Sequence, residues 1–151
     1  MKRLAMVLAT LSLLTLGATT EVRCNIPDIF FSVPLNVVTV EYVNDADADV
    51  AVSLLFHPED DEDEDDLEDE GDQIDTLVPV GQIKQIVLDC DEAGSLMIDR
   101  AKLLVVGDIG PTVGTDALHR GDAFGCGDTL TFTFYNSPTL TELHVEIDVS
   151  Y

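Results

Sequence analysis

Five stretches of this chain alternate apolar and polar side chains one residue at a time, and none shows a convincing three-to-four spacing of an amphipathic helix. Val38, Val40 and Tyr42 alternate with Thr39, Glu41 and Val43. Val50, Val52, Leu54 and Phe56 share one face, as do Ile86, Leu88 and Cys90. Leu130, Phe132 and Phe134 oppose three threonines, and Leu143, Val145, Ile147 and Val149 alternate with His144, Glu146 and Asp148. A strand with one apolar face must cover it with another layer. The expected fold is therefore all-β: a small antiparallel β-sandwich of Ig-like or Greek-key architecture, with about six to eight short strands. The chain lacks Trp and the Cys-Trp-Cys spacing of antibody domains, so "Ig-like" describes architecture alone.

The connections read less evenly. The Asn/Asp cluster at 44–49 predicts a hairpin turn between the first two strands. Residues 96–106 are apolar nearly all round, and the polar break at 99–102 fits either two short strands or a helix. Residues 107–127 carry six glycines and read mostly as loop.

Residues 59–72 hold twelve carboxylates, interrupted by Leu67 and Gly71. Neighbouring carboxylates about 6 Å apart repel by about 0.7 kcal/mol in water. The run is accordingly expected to stay solvated, as a long disordered acidic loop over 58–73. Removing its twelve charges from the net charge of −23 still leaves −11, so the remaining body is acidic in its own right. Such a chain has no basic stripe to neutralise phosphates, which argues against nucleic acid and for cations or a basic protein as partners.

Lys2 and Arg3 precede a thirteen-residue uncharged run at 4–16, followed by Gly17, Ala18, Thr19 and Thr20. This is the order of a secretory signal peptide over 1–20, with cleavage expected after Ala18 or Thr20 and a single domain over 21–151. The apolar run is too short for a membrane span, which needs about 20 residues. The protein is expected to be exported to the periplasm, the cell envelope or the extracellular space. Cys24 raises a lipid anchor as an alternative, but Glu21, Val22 and Arg23 depart from the small-residue box that precedes a lipidated cysteine. Cys24 is thus a lipidation site, a paired cysteine or a free thiol. Cys90 ends one strand and Cys126 precedes another, so these two are the favoured disulfide. Their bridge would close a loop of about 37 residues and stabilise by about 4 kcal/mol.

Two acidic clusters raise calcium. Asp45, Asp47 and Asp49 form the Asp-x-Asp-x-Asp opening of a calcium loop. Its sixth and twelfth positions, however, hold Val50 and Phe56 where Gly and Glu are required. The acidic run offers Glu59, Asp60, Asp61, Glu62, Asp63, Glu64, Asp65 and Asp66, and a register opening at Asp66 ends on Leu77. Low-affinity calcium association is the most either place suggests, and no resident cofactor is expected. His57, His119 and His144 lack zinc spacing, and Cys126 lacks the following His and Met of a copper site.

No Gly-x-Ser-x-Gly elbow or phosphate loop occurs, so no catalytic residue is assigned. The leading expectation is a non-catalytic exported β-sandwich whose acidic run binds cations or a basic partner. The alternatives are a hydrolase using carboxylates on the glycine-rich segment and a structural protein whose acidity serves solubility.

Overall fold

The structure, a computed structural model, describes residues 36–60, 64–105 and 110–151. The signal segment and Cys24 lie outside the described residues, as do Asp61, Glu62 and Asp63. Two sheets face each other. One runs β4-β1-β8-β9, from Ile83–Asp89, Val37–Asn44, Thr129–Asn136 and Leu143–Ser150. The other runs β3-β2-β5-β6, from Asp72–Val78, Val50–His57, Ser95–Leu103 and Thr112–Val113, and β7 (Leu118–His119) also pairs with β5. Among the described residues there is one helix, α1, over Glu64–Glu70. The β-sandwich expected from the alternation is the observed fold.

The core lies between the sheets and is built largely from residues the alternation selects. Val38, Val40, Tyr42, Val50, Val52, Leu54, Leu130, Phe132 and Phe134 are all buried in one cluster. Tyr42 packs obliquely against Phe132 and Phe134, with ring centroids 6.1 and 6.3 Å away. The last strand is an edge strand. Its Leu143 is buried, whereas Val145, Ile147 and Val149 are half-buried against the same core.

Four local expectations require correction. First, β1 and β2 are not a hairpin. The Asp45–Asp49 segment carries the chain from one sheet to the other, and β2 pairs with β3 across the acidic run. Second, one pairing, β1 with β8, is parallel. Both strands start at the pole where Cys90 and Cys126 meet, because an even number of traverses separates them.

Third, β5 is one strand and neither two strands nor a helix. Opposite Ser53 and Leu54 the register shifts, leaving Asp99 unpaired in a β-bulge. A bulge moves subsequent side chains to the other face. Leu96 and Ile98 enter the core before it, Ala101 and Leu103 after it, so strict alternation is lost.

Fourth, the acidic run is not wholly loop. It contains α1 and then the first residue of β3. A seven-residue helix with repeated like charges and no basic residue in its last turn would not form alone. It is held by Leu67, which is fully buried against Leu55 and Met97 on the outer face of the β3-β2-β5 sheet. Burying one leucine contributes about 1.5–3 kcal/mol. Gly71 ends the helix and donates its N–H to the Leu67 carbonyl at 3.1 Å. A Cβ at Gly71 would collide with that same carbonyl oxygen, so no larger residue fits this exit.

Candidate functional site

The acidic run leaves β2 and enters β3 at the disulfide pole, and contacts on both sides fix its ends. Glu59 donates its N–H to the His57 Nδ1 at 3.2 Å, and the Glu59 carbonyl accepts from Ser95 Oγ at 2.7 Å. The His119 ring meets the same Ser95 hydroxyl at 3.0 Å. The backbone of Pro58 and Glu59 lies so close to Gly94 that any Cβ there would overlap it. Arg120 donates one guanidinium nitrogen to the Cys90 carbonyl and another to Asp60 at 2.7 Å. Cys90 and Cys126 are bonded, as their positions at the strand ends predict, with Cα atoms 5.6 Å apart.

The exit of the run is fixed by Leu67, and beyond that anchor Glu68, Asp69, Glu70 and Asp72 are exposed. The site is thus a polyanionic element tied down at Glu59, Asp60 and Leu67. Its exposed carboxylates after Leu67 make no ion pair among the described residues. An array of this kind attracts cations through Coulomb forces of a range set by salt, about 8 Å at physiological ionic strength.

The second acidic cluster sits at the opposite pole and is built differently. Asn44, fully buried, organises it. Its Nδ2 donates to the Val78 carbonyl at 2.8 Å and the Ala48 carbonyl at 3.0 Å, while its Oδ1 accepts from Ala46 N–H at 2.9 Å. Asp47 and Asn136 exchange hydrogen bonds, from Asp47 N–H to Asn136 Oδ1 at 2.7 Å and from Asn136 Nδ2 to Asp47 Oδ2 at 3.2 Å. Asp49 accepts the Val80 N–H at 3.0 Å. Asp47 and Asp49 therefore hold neighbouring turns. Among the described residues, no group of three or more His, Cys, Asp or Glu side chains is gathered to hold a metal ion.

The histidines are dispersed. His57 and His119 serve the Glu59 and Ser95 contacts, and His144 stacks on Tyr135 with centroids 5.3 Å apart. In the glycine-rich segment, Asp122 and Asp128 line a shallow depression of about 310 Å³ beside Tyr151. Asp128 is buried and accepts the Gly125 N–H at 2.7 Å, which assigns its carboxylate to the turn. Sequence reasoning missed Asn44, Arg120 and the anchoring role of Leu67. Only Leu67 left a local signal, as the lone large apolar residue in the run.

No protein-family model matches the chain, and no curated protein sequence matches it. Among solved structures it is similar to a protein from Eubacterium rectale determined by NMR, at 6% identity and a TM-score of 0.44. That likeness covers 73% of this chain and 88% of the other. It is also similar to the T6SS lipoprotein TssJ1 from Pseudomonas aeruginosa, at 13% identity and a TM-score of 0.40, over 78% of this chain and 100% of the other. Likenesses of this degree carry no argument about function. Among the described residues, no helix is long and apolar enough to cross a membrane.

Proposed function

We propose that the chain is a non-catalytic exported protein of the cell envelope or extracellular space, whose acidic run binds cations or a basic protein partner. The observation that carries this reading is the exposed carboxylate row Glu68, Asp69, Glu70 and Asp72 on an element anchored by Leu67. Anchoring lowers the ordering cost that a free loop would bear on binding. Export is supported by the Lys2-to-Thr20 leader pattern and by the Cys90–Cys126 bond, which belongs to an oxidising compartment.

The test neutralises the run without unfastening it. Every Glu and Asp of 59–72 except Asp60 is changed to Gln or Asn, keeping Leu67 and Gly71. Calorimetry with a ten-lysine peptide, and separately with calcium, should show salt-sensitive binding to the natural protein. Binding should fall at least about tenfold in the variant, with the folded spectrum retained. A natural protein that binds neither probe returns the run to a solubility role.

A further inference from the structure

A second surface of opposite character lies on the outer face of the β3-β2-β5 sheet, away from α1. There the central strand β2 presents small side chains, Ala51 and Ser53, between longer ones on its neighbours. Across the strands Ser53 pairs with Asp75 on one side and Arg100 on the other, while Ala51 pairs with Leu77 and Lys102. Small residues flanked by long ones make a groove, here of about 620 Å³. That volume lies within the range of about 300–1,000 Å³ for small-molecule sites.

The chemistry of this groove is uneven. Arg100 and Lys102 follow the bulge at alternate positions, so their Cα atoms stand about 7 Å apart on one face. They are two of the four Lys and Arg residues in the described part of a strongly acidic chain. Neither side chain takes part in a hydrogen bond or ion pair among the described residues. Ser53 lines the same groove at 4% exposure, and its Oγ has no hydrogen-bond partner among the described residues. A buried hydroxyl without a partner costs about 1–3 kcal/mol. That cost is recovered by a ligand able to accept its proton. Asp75 stands on the far wall, about 10 Å from Arg100 across two strand spacings, and Gln73 Nε2 donates to it at 2.9 Å.

We infer that this groove binds a small aliphatic monocarboxylate, its carboxylate held by Arg100, Lys102 and the Ser53 hydroxyl and its hydrocarbon part lying over Ala51 and Leu77. Leu77 is 51% exposed in the free protein, so the tail removes apolar surface from water. Asp75 sets the charge limit: a second carboxylate at the far end of the ligand would meet it and be repelled. This inference is independent of the acidic run, which lies at the other end of the same sheet face.

The test is an amide NMR titration of the intact protein with octanoate, up to about 10 mM as suits an open groove. Saturable shifts are expected at Ala51, Ser53, Arg100 and Lys102. Arg100→Gln with Lys102→Gln should weaken binding at least about tenfold, the loss of charge-assisted hydrogen bonds. Ser53→Ala removes an atom the protein itself leaves unpaired, so the variant folds, and its affinity should drop about fivefold. Acetate, lacking the tail, and suberate, with a carboxylate at each end, should both bind more weakly than octanoate. Absence of saturable shifts in the groove, undiminished affinity in the double variant, or acetate binding as tightly as octanoate would each overturn the assignment.

Discussion

The two acidic clusters lie at opposite ends of strand β2 and look alike as composition, yet they are built to different ends. At 45–49, Asp47 and Asp49 accept hydrogen bonds, and the buried Asn44 ties the arch to Val78 in the facing sheet. At 59–72 one carboxylate, Asp60, is held by Arg120, and the rest of the anchoring is done by Leu67 in an apolar socket and Gly71 at the helix exit. The first cluster uses two of its three acids to hold the fold. The second uses the fold to hold its acids in water. Carboxylate density therefore does not mark a binding surface; what matters is which carboxylates the fold leaves unengaged.

Substitutions at the two poles sharpen this contrast. The largest effect is expected at the acidic-run pole, where Cys90→Ala with Cys126→Ala should lower stability by about 4 kcal/mol, seen as a fall in denaturant midpoint. Asn44→Ala should cost about 3 kcal/mol, because two buried hydrogen bonds and one part-buried one lose their partner at once. An equal loss of Asp45–Asp49 order, read by amide exchange, should accompany it. Leu67→Ala should cost about 2 kcal/mol, since it empties a satellite cluster rather than the main core. Its amide exchange should accelerate over Glu64–Glu70 and leave the Asn44 pole unchanged.

The smallest effect belongs to the core between the poles. The Tyr42 hydroxyl is buried with no partner among the described residues, so Tyr42→Phe should be neutral or stabilise by about 1 kcal/mol. Burial also raises the Tyr42 phenol well above its ordinary value of 10.0. Below that value both folded and unfolded chains keep the proton and stability is complete. As pH rises past about 10 the unfolded chain releases it and the folded protein does not, so stability falls. Urea midpoints at pH 9 and about pH 11 should separate more in the natural protein than in Tyr42→Phe.

Much of the sandwich was legible because its core strands repeat with period two: Val38, Val40 and Tyr42 and Leu130, Phe132 and Phe134 are buried as that period requires. Strand β5 was illegible because its bulge at Asp99 reverses which parity faces the core. The arch at 45–49 was misread because an inter-sheet crossing and a hairpin turn use the same local residues. The Asn44 side chain separates them through a bond to Val78, 34 residues away. The acidic run was read from its repulsion alone, which favours extension. Its helix depends on a socket made by Leu55 and Met97 on two strands, and its tether on Arg120, 60 residues beyond Asp60. Short-range pattern reveals faces; it does not reveal which distant residue will dock on them.

Binding of a basic partner should be confined to the acidic run. Amide NMR of the intact protein during titration with a ten-lysine peptide tests it in one spectrum. Saturable, salt-sensitive shifts are expected at Glu68, Asp69, Glu70 and Asp72, with Asp47 and Asp49, whose carboxylates already accept hydrogen bonds, unmoved. Equal shifts at both clusters, or none at the acidic run, would contradict this.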